Sequence, residues 1–193
     1  MEVHAVKLLA IGEILWDVFP DGERLGGAPF NLAVHARRLG HEVYFVSAVG
    51  EDERGRRALK EMQRLGLSTE FVLTLPGSPT GTVTVELDTG GQPRFQIHRP
   101  AAYDSAELTG FQLARLIAWE PDWIAFGTLH QMSPTARALT RRLCDLIPGA
   151  KRFYDVNLRP GCYEPELVES LLRSAHVVKV NDEEVTALHV LLN

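Results

Sequence analysis

Apolar β-type runs alternate with amphipathic helical segments along most of this chain. That alternation narrows the fold more than any other feature. "KLLAIGEILWDVF" (7–19) reads as a buried strand running into a bend. "FNLAVHARRLG" (30–40) reads as a helix with Leu32, Ala33, Ala36 and Leu39 on one face, Pro29 at its start and Gly40 at its end. "EVYFVSAVG" (42–50) is a second strand, and "DERGRRALKEMQRLG" (52–66) a second helix that turns Ala58, Leu59, Met62 and Leu65 inward. The order β-α-β-α belongs to a parallel sheet with crossover helices. The rhythm resumes with "AELTGFQLARLIAWE", "DWIAFG", "SPTARALTRRLCDLI" with Ser133 as its cap, "KRFYDVN", "EPELVESLLRSA", "HVVKVN" and "DEEVTALHVLLN". The fold class is α/β with a mostly parallel central sheet. The last helix meets no cap, glycine or proline before Asn193, so the chain is expected to be cut rather than finished.

One stretch breaks the pattern. "PTGTVTVELDTGGQPRFQIHRP" (79–100) alternates with period two on either side of "DTGGQ", which predicts a hairpin with strands at about 82–87 and 94–98. Val83, Val85, Phe95 and Ile97 fall on one face of it. Such an excursion from a parallel sheet can cover a site or make a dimer contact.

Composition excludes several classes. The net charge of −5 offers no basic face for nucleic acid. No apolar run is long enough to span a bilayer, and the N-terminus reads as a first strand rather than a signal peptide. The two cysteines, Cys144 and Cys162, match no metal spacing and suit a reducing compartment. The expectation is a soluble cytoplasmic protein. The seven histidines form no ligand pattern; His98 and His130 are placed nearer the site than the others, without an assigned role.

Ligands of parallel α/β sheets bind at the carboxyl ends of strands, so the polar residues that follow each strand are the candidates. Asp17 and "GGAPFN" follow the first. In that motif, Gly26 and Gly27 let backbone approach a ligand, and the Asn31 amide and helix-start N–H groups can donate to hydroxyls or anions. A tight turn with a local cap explains the same residues equally well. Asp17, an acceptor-only carboxylate, suits paired sugar hydroxyls. "DVNLR" places Asp155, Asn157 and Arg159 on one side of an extended segment, which fits phosphate or metal chemistry, or else a surface ion pair. "KVNDEEV" supplies Lys179, Asn181 and Glu184, a capping box or a group that organises water around Mg²⁺. Neither a Walker phosphate loop nor G-x-G-x-x-G is present.

Taken in order, "GEILWDVFPDGERLGGAPFN", "GEDERG", "PTGTVTV", "DVNLR" and "VNDEEV" resemble the ribokinase-like (PfkB-type) carbohydrate kinases, and within them the fructokinases. The resemblance runs over essentially the whole chain. It implies a single domain of which residues 1–193 form the N-terminal two-thirds, with lid elements at about 13–26 and 79–100. It implies ATP-dependent phosphorylation of a sugar hydroxyl, with fructose preferred over 2-keto-3-deoxygluconate or ribose. Asp17, Gly26, Gly27 and Asn31 would bind the sugar under lid residues Val83, Val85 and Phe95. Arg159 would face the transferring phosphoryl group, with Asp155, Asn157, Lys179 and Asn181 on the nucleotide side and Glu184 on Mg²⁺ through water. A homodimer through the lid is implied as well. The family's second signature, a glycine-rich "G-A-G-D"-like turn that carries the catalytic base, is absent, so this chain alone is expected to be impaired or inactive. A non-catalytic sugar-binding module derived from a kinase is the alternative.

Overall fold

The computed structural model describes residues 4–87 and 93–192, so the "DTGGQ" turn lies outside the described residues. In chain order, β1 (Lys7–Ile11), β2 (Leu15–Phe19) and β3 (Gly22–Gly26) lead into α1 (Ala28–Arg38). There follow β4 (Glu42–Gly50), α2 (Glu53–Arg64), β5 (Val72–Leu75), β6 (Gly81–Leu87) and β7 (Pro93–His98). After a 3₁₀ turn (Ala102–Ser105) come α3 (Gly110–Trp119), β8 (Trp123–Gly127), the one-turn α4 (Thr128–Gln131) and α5 (Pro134–Leu146). The rest is β9 (Lys151–Asp155), α6 (Pro165–Ser174), β10 (Val177–Lys179) and α7 (Asp182–Leu191).

Six strands make a wholly parallel sheet in the order β10-β9-β8-β1-β4-β5. Its two faces follow the period-two alternation of each strand. Leu9 and Ile11 of β1, Val46 and Ala48 of β4, and Ile124 and Phe126 of β8 pack with α3, α5 and α6 through Leu113, Leu116, Leu139, Leu143, Leu167 and Leu171. Leu8, Ala10, Val43, Phe45 and Ala125 turn the other way, onto Phe30, Ala33 and Val34 of α1 and Ala58 and Met62 of α2. Strands buried on both faces are what a central parallel sheet requires, and they explain why these runs are continuously apolar.

A second sheet, in the order β3-β2-β6-β7, stands beside the first. β2 runs parallel to β6, while β3 and β7 pair antiparallel to β2 and β6. Val83 faces Ile97 and Val85 faces Phe95 across the β6–β7 ladder, as the alternation predicts. Leu15, Val83 and Val85 pack on Ala101, Tyr103 and Leu129. "GERLG" was not legible as a strand; it carries no alternation, and its pairing with β2 supplies the order.

Local signals set the helix ends. Gly40 follows α1 at φ +89°, a left-handed position that suits glycine. The α1 face differs from expectation at one end: Leu39 is 73 % exposed, and Phe30 and Val34 complete the buried stripe instead. Ser133 caps α5, and Asp52 caps α2 by accepting from Gly55 N–H at 2.7 Å. Asp52 also receives Thr80 N–H at 2.8 Å and Thr80 O–H at 2.7 Å, while Thr80 Oγ1 accepts from Gly50 N–H at 2.9 Å. This cluster ties "GEDERG" of the large sheet to "PTG", where the chain enters the small one.

Candidate active site

The carboxyl ends of β1, β9 and β10 face the small sheet across a cleft of about 450 Å³. That volume lies in the range of small-molecule sites. Its lining includes Asp17, Gly27, Asn31, Val83, Phe95, Asp155, Asn157, Arg159 and Lys179, all expected from sequence. Two distant parts of the chain, 13–31 and 155–179, therefore meet in one place.

The double glycine has a steric reason. Gly27 stands at φ +114°, directly before α1, and a Cβ there would come within 2.3 Å of the Glu13 carbonyl oxygen. A Cβ on Gly26 would meet Asp17 Oδ2 at 2.6 Å. Gly26 is thus the space in which the Asp17 carboxylate sits rather than part of the lining. Gly27, at the N-cap, brings no side chain of its own to the first turn of α1. Asn31 is exposed at the cleft wall, its backbone N–H held by Gly27 O at 2.8 Å.

The opposite wall is charged. Lys179 Nζ pairs with Asp155 Oδ1 at 3.0 Å. Burial raises the pKa of Asp155, and Lys179 opposes that shift. Burial likewise raises the pKa of Asp17, with Arg159 pulling the other way. Arg159 keeps its guanidinium 5.9 Å from the Phe95 ring, so it bridges the β9 side to the small sheet. Asp155, Asn157 and Arg159 do converge, but not on an extended segment: β9 ends at Asp155, and Asn157 is left-handed at φ +36°. The turn, which asparagine tolerates, aims the three side chains into the cleft.

Asn181 and Glu184 form a complete capping box. Asn181 Oδ1 accepts from Glu184 N–H at 2.8 Å, and Glu184 Oε2 accepts from Asn181 N–H at 2.9 Å. Glu184 Oε1 takes the Leu158 N–H at 3.2 Å, which fastens α7 to the "DVNLR" turn. Neither residue lines the cleft, and Val85 is buried in the small-sheet core behind it. Among the described residues no three His, Cys, Asp or Glu side chains gather as a metal site. Each Glu184 oxygen already accepts one backbone N–H.

Other residues were not foreseen. Glu13, Leu15, Ala28, Leu32, Ile97 and Leu129 also line the cleft. Glu13 follows the first strand directly, so the strand-end rule that picks Asp17 could have found it; the apolar run on both sides hid it. The histidines do not reach the site. His130 is fully buried, and burial pulls its pKa down to about 4. His98 is exposed, its Nε2 2.7 Å from Thr84 Oγ1.

A parallel α/β sheet with a small β-sheet over its strand ends defines a ribokinase-like fold. The family model described as pfkB family carbohydrate kinase matches residues 14–191. The chain belongs to that family. It is 29% identical to a fructokinase of Salmonella typhimurium, over 93% of this chain and 61% of that protein. A fructokinase structure from Xylella fastidiosa superposes with a TM-score of 0.86 at 25% identity, covering 96% of this chain and 65% of that one. An uncharacterized sugar kinase of Pyrococcus horikoshii, solved in complex with ATP, gives 0.81 at 27% identity, over 95% and 66%. The chain spans a little over six-tenths of the length of the curated relatives it matches. Among the described residues no helix is long and apolar enough to cross a membrane.

Proposed function

We propose that this chain carries the sugar site and part of the phosphate site of an ATP-dependent sugar kinase, with a hexose such as fructose as acceptor. One observation carries the reading: Asp17 and Asn31 from one end of the sequence share a single cleft with Asp155, Asn157, Arg159 and Lys179 from the other. An acceptor-only carboxylate beside an amide suits paired hydroxyls. A guanidinium beside an ammonium suits a phosphoryl group whose charge builds during transfer. Val83 and Phe95 of the small sheet cover the sugar, as a lid that excludes water. Mg²⁺, when bound, neutralises phosphate charge; Glu184 would organise its water, next to Asn181. The relatives' names support fructose over other sugars.

Turnover is proposed for a protein that also contains the glycine-rich turn and its base. The 193-residue chain is expected to bind sugar and to transfer little or no phosphate. The outer side of the small sheet, which presents Gln96 and His98, is the proposed contact in a homodimer. Calorimetric titration of fructose, ribose and 2-keto-3-deoxygluconate into the wild type and Asp17→Ala tests the site. Binding of one sugar that D17A removes supports it; unchanged affinity in D17A refutes the placement.

A further inference from the structure

The least explained polar group in the cleft is Glu13. Its side chain is 2 % exposed, yet it lines the cleft between Asp17 and the Asp155–Arg159 wall. Its carboxyl accepts from its own backbone N–H and from that of Ala28 at the start of α1. The side chain lies against the Gly27 turn, where a Cβ would lie 3.4 Å from Glu13 Cγ and closer still to its carbonyl. Oε2 is buried and has no partner. A buried carboxylate oxygen without a donor is costly, and native proteins rarely leave one so. The fixed turn explains one end of this side chain and not the other.

We propose that Glu13 is a second sugar-binding acid of this cleft: its carboxylate, one oxygen of which has no partner, accepts a hydroxyl of the bound sugar, while its contacts with the turn hold it in place. The inference rests on the reading of the cleft as a sugar site. It makes Glu13 and Asp17, on β2 and the loop before it, a pair of acceptors that meet two hydroxyls of one ring. A hydroxyl donated to a carboxylate is among the stronger hydrogen bonds, so the ionised form is the one that binds well.

Ionisation is in reach of ordinary pH. Burial pushes the Glu13 pKa up to about 7, against the hydrogen bonds to it and the attraction of Arg159, with Asp155 adding to the rise. The other groups that face it are Asp17 on β2, Lys179 on β10 and Tyr103 on the 3₁₀ turn, whose hydroxyl is also buried without a partner. If the ionised form alone binds, affinity rises up to about tenfold from pH 6 to pH 8. Glu13→Gln keeps the shape and a carbonyl acceptor for Ala28 N–H but has no charge to titrate.

The test is calorimetric titration of fructose, ribose and 2-keto-3-deoxygluconate into the 193-residue chain at pH 6 and pH 8, with wild type, E13Q and D17A. Thermal melts of each confirm that the fold is kept. The expected result is a sugar whose affinity rises with pH in the wild type, and which E13Q binds about tenfold more weakly at pH 8 with no pH slope. Wild-type binding that D17A removes but E13Q leaves unchanged, slope included, overturns the role of Glu13 and keeps the sugar site. Binding that E13Q weakens and D17A does not keeps Glu13 and overturns the placement on Asp17. No binding of any of the three sugars to the wild type overturns both.

Discussion

Replacing Asp52 with alanine tests the joint between the two sheets. Three donors converge on this carboxylate: Gly55 N–H, Thr80 N–H and Thr80 O–H, all within 2.8 Å. Loss of the α2 cap alone costs about 1 kcal/mol. Each of the two bonds from Thr80 to a charged acceptor adds about 1.5 kcal/mol. Because the three share one carboxylate they do not sum independently, and the joint loss is about 3 kcal/mol. Asp52→Asn keeps an acceptor for Gly55 but sets an NH₂ group against the Thr80 N–H, so it should lose about half as much. The assay is urea unfolding at pH 7, read as a shift in midpoint at constant slope. The pH dependence has a definite sign. Partial burial works against ionisation, but the bonds from Thr80 and Gly55 outweigh it and hold the Asp52 pKa below its ordinary value. Its contribution is therefore full above the ordinary carboxylate range and disappears as pH falls through the lowered value. A loss under 0.5 kcal/mol in D52A, or equal losses in D52A and D52N, would falsify this account.

Further outcomes follow from other parts of the molecule. Gly27→Ala should weaken sugar binding and cost about 2 kcal/mol or more, because it combines left-handed strain with a collision against the Glu13 carbonyl; calorimetry and melts read both. Arg99→Ala should destabilise by about 3 kcal/mol, since it strands buried Asp104, its bidentate partner at 2.5 Å and 3.2 Å; recovery of stability in an Arg99→Ala/Asp104→Ala double variant checks the pairing. His130 is held neutral in the fold and charges freely once unfolded, so stability should fall between about pH 6.5 and pH 4, by about 1.4 kcal/mol per pH unit. His130→Gln should flatten that slope. Arg159→Ala should leave fructose affinity nearly intact and weaken binding of ATP, measured with the same chain.

The layering of the large sheet was legible because each strand buries both faces and each helix one. Leu9 and Leu8 differ by a single step, and that step sends them to opposite cores. The small sheet was legible only in part. β6 and β7 alternate, but β3 is a strand because β2 lies beside it, and nothing within "GERLG" records that neighbour. The four-residue β5 was missed for its shortness. The rule that ligands meet strand ends pointed to Asp17 and Asp155, and the "KVNDEEV" motif to Lys179; all three line the cleft. The rule could not distinguish a residue that lines the cleft from one that braces it. Asn181 and Glu184 brace, because a capping box and a metal partner look alike in sequence. Glu13 lines, although its neighbours disguise it as core.

The cleft draws on residues 13–32 and 155–179, and between them on Val83, Phe95, Ile97 and Leu129. Between these stretches the chain must complete β4, α2, the β2–β6 and β6–β7 ladders of the small sheet, β8 and the helices that follow. No early stretch of the emerging polypeptide holds a site, and neither does a late one. Ligand therefore stabilises only molecules that have finished assembling, and does nothing for partly folded ones. A sugar that binds here would act as an inspector of the finished fold: protection from proteolysis by added ligand should appear all at once, when β10 joins the sheet.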